Sequence, residues 1–301
     1  MLYRIVKKIF GANESDVINE VEIPSNIHDF CFIPDLGYLF ALKDNHCISL
    51  LDLEGNFTLS WLGMFNEKGC RDGTKHHARL SYPSSVCYLP QTKRAYVVED
   101  GGANIRIIDV NTVYISKLLG KSIVDKMEKK FAKIKISEIN TCCCVNKYAE
   151  VYWVVDKANY CYKYKQGNVK IILGNRRASY SVSSDISWSS LNGPSGLALA
   201  NDAVYIADTG NHCIRELTKT SLSLFEGTPI ETELVNSPSC LKHCKGMFYF
   251  LDGNQVKYYA PSGPSRGVLY ENKNENENEN LTAIDVIDRN LLILEGGHAK
   301  A

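Results

Sequence analysis

The sequence predicts an all-β chain arranged as a six-bladed β-propeller, and three observations carry that reading. The first is a repeated layout of small-residue turn, short strand, turn, strand, polar loop and third strand. It is clearest in residues 191–217, LNGPSGLALANDAVYIADTGNHCIREL. The second is the period. Pro24-Ser25-Asn26, Pro83-Ser84-Ser85, Asn140-Thr141-Cys142, Pro194-Ser195-Gly196, Pro238-Ser239-Cys240 and Leu281-Thr282-Ala283 open six successive units, 59, 57, 54, 44 and 43 residues apart. Two of these units carry the identical tetrapeptide Asn-His-Cys-Ile, at 45–48 and 211–214. A period of roughly 40–60 residues built from short strands is the mark of radial repetition. The third observation is that the sixth unit ends at Ala301 after two strands, while the N-terminus carries two strand-like runs of its own.

Each element follows from its residues. After each opening segment comes a short apolar first strand, such as Val86-Cys87-Tyr88 or Leu197-Ala198-Leu199. A turn leads to a more apolar second strand, at 38–42, 95–98, 151–155, 204–207, 248–251 and 291–294. Five of these six are followed by an acid: Glu99, Asp156, Asp208, Asp252 and Glu295. The third strands carry Ile48, Ile105, Tyr162, Ile214 and Val256, and fourth strands end near Gly63, Gly120, Gly174 and Gly227. Apolar runs of four to six bounded by Gly, Asn, Asp and Pro are strand signals. Residues 2–6 read as a third strand. Lys7-Lys8-Ile9-Phe10-Gly11 matches the fourth-strand ending Ser116-Lys117-Leu118-Leu119-Gly120 in pattern. The last blade is therefore expected to be closed by N- and C-terminal strands together, which removes an exposed sheet edge. This gives one domain over 1–301, with blades near 12–63, 64–120, 121–174, 175–227, 228–270, and 271–301 plus 1–11.

Composition narrows the function. With 34 basic and 34 acidic residues the formal net charge is zero, so no global field recruits nucleic acid or an anionic membrane. Eleven cysteines, three of them in the run Cys142-Cys143-Cys144, form no CxxC pair, although Cys240, His243 and Cys244 lie close in sequence. Reduced thiols acting as small apolar side chains are expected, with no metal and no cofactor. No apolar run approaches a membrane span, and no cleavable leader is legible. A cytoplasmic protein, monomeric or part of a larger assembly, is the expectation. The alternating tract from Glu271 to Asn280 is of low complexity and is read as an expanded surface loop.

The segment Tyr205-Ile206-Ala207-Asp208-Thr209-Gly210-Asn211-His212-Cys213-Ile214-Arg215 resembles a repeat of the NHL family, whose members form propellers. Gly69, Asp72-Gly73, Ala78, Leu80 and Pro83 resemble the blade-to-blade loop of that family. The resemblance implies the fold and permits protein binding or RNA binding. Asp208, Asn211 and His212 read as turn-builders, because acids and Asn bond nearby backbone donors and Asn tolerates the left-handed conformation.

All long insertions fall in one class of loop and so on one face: 64–79, 121–138, 175–190, 228–235 and the Asn/Glu tract. Scaffolded loops commonly carry function. In 121–138 the apolar residues Ile123, Val124, Met127, Phe131 and Ile134 fall at helical spacing. Lys126, Lys129, Lys130 and Lys133 lie between them, so a basic face either docks an acidic partner or RNA or is simply solvated. Arg176 and Arg177, with Tyr180 and Trp188, occupy the next insertion, and His76-His77 the first.

The opening segments place a hydroxyl in every blade, at Ser25, Ser84, Thr141, Ser195, Ser239 and Thr282, near the channel mouth. A hard cation needs several oxygen ligands, and only Asn26 offers anything of the kind nearby, which argues against metal-dependent hydrolysis. Three residues further on, His28, Lys242 and Asp285 share one column, where a carboxylate between a lysine and a histidine either shifts their pKa values or merely fills a watery channel. The expected function is a non-catalytic interaction scaffold binding a protein through the insertion-bearing face. RNA binding on the same face and a channel-mouth lyase or hydrolase are the alternatives.

Overall fold

The computed structural model describes residues 2–9, 15–22, 27–99, 102–119, 139–175, 178–179, 189–218, 222–226, 235–260, 266–271, 281–287 and 290–298. In chain order the strands begin with β1 (Leu2–Ile9) and β2 (Ser15–Glu22). A first sheet follows from β3 (Asp29–Ile33), β4 (Gly37–Leu42), β5 (Cys47–Asp52) and β6 (Phe57–Gly63). The next holds β7 (Gly73–Thr74), β8 (Ser85–Leu89), β9 (Arg94–Glu99), β10 (Asn104–Asp109) and β11 (Tyr114–Leu119). Then come β12 (Thr141–Val145), β13 (Val151–Val155), β14 (Tyr160–Lys165) and β15 (Asn168–Leu173). The fourth group is β16 (Gly196–Ala200), β17 (Ala203–Asp208), β18 (Cys213–Leu217) and β19 (Leu222–Glu226). The fifth is β20 (Pro238–Cys244), β21 (Met247–Asp252), β22 (Gln255–Tyr259) and β23 (Arg266–Glu271). The chain closes with β24 (Leu281–Ile287) and β25 (Asn290–His298).

Among the described residues these strands make six antiparallel sheets; four are plain up-and-down meanders, one adds β7 beside β11, and one joins strands of both termini, which is the all-β propeller arrangement. The chain divides into two compact units, one of Ser25–Ile171 and one of Met1–Pro24 with Ile172–Ala301. In the first unit the opening strands β3 and β12 both pack on β8. In the second unit β16 and β24 both pack on β20.

The N- and C-terminal strands share a sheet of order β2-β1-β25-β24, as the sequence predicts. The details differ. The third strand is all of β1, so residues 7–9 continue it, pairing with 290–292 of β25. The fourth strand is β2, which the sequence reading assigned to the next blade. Five of the eight residues of SDVINEVE are polar, which suits a strand at the sheet edge, and the short segment from Lys7 to Gly11 imitates one.

Second strands are continuous apolar runs because both of their faces are covered. Ala95 and Val97 of β9 join an apolar cluster with Leu39 and Ala41 of β4. Tyr96 and Val98, pointing the other way, join Trp153 and Val155 of β13. In the other unit Phe248 and Phe250 of β21 pack with Ala198 and Tyr205, while Tyr249 and Leu251 pack with Ile284 and Ile293. Period-two alternation thus feeds two different interfaces from one strand. Gly196 marks a close approach of two opening strands: a Cβ there would stand 2.7 Å from the backbone nitrogen of Leu241. The bare turn Asn201-Asp202 has φ of +48° and +62°, the double left-handed geometry of a tight hairpin.

The repeated Asn-His-Cys-Ile acquires a physical reason, and it corrects the expectation for its first two residues. Histidine, not asparagine, takes the left-handed conformation, with φ of +58° at His46 and +56° at His212. Each ring then reaches the loop leading to the next opening strand. His46 Nδ1 accepts from the backbone nitrogen of Tyr82 at 3.2 Å, and His212 Nδ1 meets the carbonyl of Asn236. The tetrapeptide is a staple between consecutive sheets.

Candidate functional site

The acids that end the second strands are structural, as turn-building predicts. Asp208 is fully buried and accepts from the backbone nitrogen of Asn192 (2.7 Å), Asn211 Nδ2 (2.8 Å) and Arg215 Nε (2.8 Å). Burial raises its pKa while Arg215 and the hydrogen bonds oppose that rise. Asp252 likewise holds Lys257 Nζ at 2.6 Å. In the second sheet Glu99 pairs with Arg106, at 3.4 Å, with both side chains fully buried.

Arg106 does more than neutralise Glu99. Its guanidinium also donates to Asp72 Oδ1 (2.8 Å) and to the carbonyls of Arg71 (3.1 Å) and Arg79 (3.2 Å). All three acceptors lie in the 64–79 insertion. A buried arginine of the sheet thereby fixes a long surface segment from beneath. The insertion is further pinned by backbone pairing of Arg71 with Arg79 and by Gly73-Thr74, which adds a fifth strand beside Tyr114 and Ile115. Asn45 Nδ2 bonds Asn66 Oδ1 at 2.6 Å, tying it to the first sheet. Its two acids are occupied: Glu67 by Arg79 at 2.7 Å and Asp72 by Arg106. Lys68, Arg71, Lys75, His76 and His77 are exposed, and the two lysines and the arginine make this surface cationic, with the Lys68 ammonium 4.6 Å from the Tyr82 ring centre.

A second cluster lies where the opening strands of the first unit begin. His28 donates its backbone N–H to the Ala41 carbonyl, as Ser84 does to Val98, so His28 occupies the level expected of Ser25. Ser84 and Thr141 share that level, their hydroxyls 2.5 Å apart. Beside them Lys43, fully buried, donates to Asn140 Oδ1 at 3.0 Å, reaching from the first sheet to the third. Asn140 in turn donates through its backbone and side chain to Asp156, at 3.0 and 3.4 Å. Burial, and next the Lys43 charge, lower His28 to about 4, although Asp44, 3.9 Å from Nε2, pulls the other way. Burial also lowers Lys43 and raises Asp156. All three shift toward the neutral form. Sequence reasoning picked out His28 but missed Lys43, which reads locally as one more charged residue in the turn after β4.

The proposed column of His28, Lys242 and Asp285 is only partly realised. Lys242 stands opposite Tyr249 and Asp285 opposite Leu292, each three residues before the closing acid of its second strand. Their charged groups lie 3.9 Å apart. The corresponding residue of β3 is Cys31, opposite Leu39. His28 is three positions earlier, because the first blade begins later than its serine implied. Ser239, opposite Leu251, likewise lies one step beyond the hydroxyl level. Lys126, Lys129, Lys130, Lys133, Arg176, Arg177, Tyr180, Trp188 and Ser25 lie outside the described residues. Among the described residues no group of three or more His, Cys, Asp or Glu side chains is placed to hold a metal ion, and no helix is long and apolar enough to cross a membrane.

A third feature is a polar seam through the three opening strands of the first unit. Ser85 Oγ donates to Asp29 Oδ2 at 2.7 Å and accepts from the backbone nitrogen of Cys143 at 2.9 Å. The Cys143 sulfur lies 3.2 Å from that hydroxyl and 3.4 Å from the Cys87 sulfur. The contact with Cys143, then burial, raises the Cys87 thiol well above the usual range.

Comparison with known proteins places this geometry. Residues 191–217 match the NHL repeat family. No curated protein matches the sequence. Among solved structures, virginiamycin B lyase from Staphylococcus aureus is similar with TM-score 0.55 and 11% identity, over 94% of this chain and 78% of that one. A streptogramin B lyase gives 0.54 and 14%, over 98% of both chains. A chain of a nidogen–laminin complex gives 0.58 and 10%, over 88% and 91%. At such identities the likeness is one of fold. The chain thus has a β-propeller fold and carries an NHL repeat at residues 191–217.

Proposed function

We propose that the six sheets are six blades of one ring, a single domain over 1–301, and that it works as a non-catalytic protein-interaction module. The insertion-bearing face is the binding surface. One observation carries this reading: a fully buried arginine is spent on ordering the exposed 64–79 segment. A surface loop held in one conformation loses little entropy on association. Its cationic residues favour an acidic segment of the partner, and Lys126, Lys129, Lys130 and Lys133 with Arg176 and Arg177 extend the same character. The nidogen–laminin likeness supports a propeller of this shape serving protein recognition. An intracellular setting belongs to the same reading and rests on the odd number of cysteines.

The test is cross-linked capture from native extract, with and without RNase, comparing wild type with K68E/K75E. Partners should survive RNase and fall about tenfold with the reversal, since misplaced like charges at an interface cost several kcal/mol. Capture that depends on RNA sinks the reading and favours RNA binding, and capture that ignores the reversal sinks the assignment of this face. A channel-mouth lyase or hydrolase is the second reading, favoured by the chain from His28 and Lys43 through Asn140 to Asp156. On that reading His28→Ala abolishes turnover and leaves partner capture intact.

A further inference from the structure

We propose that Cys87 and Cys143 form an oxidisable pair, which hydrogen peroxide converts into a disulfide joining the opening strands β8 and β12. The inference is independent of the interaction reading. The two sulfurs come from neighbouring sheets and stand 3.4 Å apart. A disulfide bond is about 2.05 Å long, so a closing movement of little more than an ångström completes it. The backbone on both sides is already fixed, because Cys143 donates its N–H to Ser85 Oγ, two residues before Cys87. Both side chains pack in the apolar cluster between the second and third sheets. Cys31, on the other face of the second sheet, belongs to a different cluster.

The pair is also divided by access. Cys87 is partly exposed and Cys143 is buried. Peroxide therefore meets Cys87 first. The Cys87 sulfur takes one oxygen as the O–O bond breaks, giving a sulfenic acid and one water. The Cys143 sulfur then attacks the Cys87 sulfur, the S–O bond breaks, and a second water leaves. Two thiol hydrogens and one peroxide become two waters and one disulfide. Peroxide is reduced, and the thiols are oxidised. Cys143 has a route for its proton, since its sulfur lies 3.2 Å from the Ser85 hydroxyl, itself 2.7 Å from the Asp29 carboxylate. The high proton affinity of Cys87 keeps the pair slow, because the thiolate is the nucleophile. The pair is thus quiet under reducing conditions and responds to oxidant in excess.

The experiment treats the whole chain with peroxide, blocks remaining thiols with N-ethylmaleimide, and maps peptides by mass spectrometry. The expected product links the Cys87 peptide to the peptide carrying Cys142, Cys143 and Cys144, is undone by dithiothreitol, and raises the unfolding midpoint. It should persist in C142S and C144S and vanish in C143S. Fragmentation of the wild-type cross-linked peptide assigns the sulfur directly, so the outcome does not hang on how well C143S folds. Cys87 carried on to sulfinic acid, Cys87 left open to maleimide, or a link that persists in C143S overturns the proposal.

Discussion

His28 shows how much one residue's surroundings decide. An exposed histidine titrates near 6.5, but burial and the Lys43 ammonium hold this ring neutral down to about 4. A histidine whose pKa is depressed on folding contributes stability above its unfolded pKa and loses it as pH falls toward the folded value. The protein should therefore lose up to about 3 kcal/mol between pH 6.5 and 4 through this residue. Calorimetry at stepped pH measures the loss, and His28→Gln should flatten it. An NMR titration of His28 with a midpoint near 6.5 contradicts the assigned environment. The cluster was half legible in the sequence. His28 stood out as a titratable group beside a predicted strand. Its level did not, because backbone pairing with Ala41, rather than distance from a proline, fixes where the strand begins.

At the scale of elements, strands and insertions obey different rules. A strand is specified by its own residues, since burial on both faces demands an unbroken apolar run such as VYWVV in β13. The 64–79 insertion is specified from outside, by Arg106. Replacing Arg106 with methionine removes the charge that faces buried Glu99, which should cost about 3–5 kcal/mol. It should also release the insertion, so trypsin cuts at Lys75 earlier than at other exposed lysines. Lysine at 106 should not restore protection, because a single ammonium cannot serve acceptors on Arg71, Asp72 and Arg79 together. Unchanged proteolysis in Arg106→Met would show that the insertion orders itself.

For the whole molecule, the decisive pairing is that of β1 with β25. Removing residues 1–24 deletes two of the four strands in that sheet and leaves the β25 edge bare. Bare edges template association. The truncated chain should unfold at a temperature lower by on the order of 10 °C, as expected from losing several kcal/mol in a chain of this size. It should also form dimers and larger species on light scattering. A truncated chain that stays monomeric with the same midpoint means the terminal sheet is dispensable.

The sequence by itself determined the class of fold, the six opening strands, the apolar second strands and the sharing of one sheet by both termini. These follow from short-range chemistry: strand periodicity, turn residues and a repeat that returns every few dozen positions. Only the tertiary structure decided the groups that could act. Lys43 meets Asn140 across 97 residues of chain, and Cys87 meets Cys143 across 56. Arg106 is read locally as one more basic residue in a strand, yet it is buried beneath an insertion that precedes it by about thirty residues. No local pattern encodes such contacts. They depend on how neighbouring sheets turn against each other, and that angle is set by all the side chains packed between them.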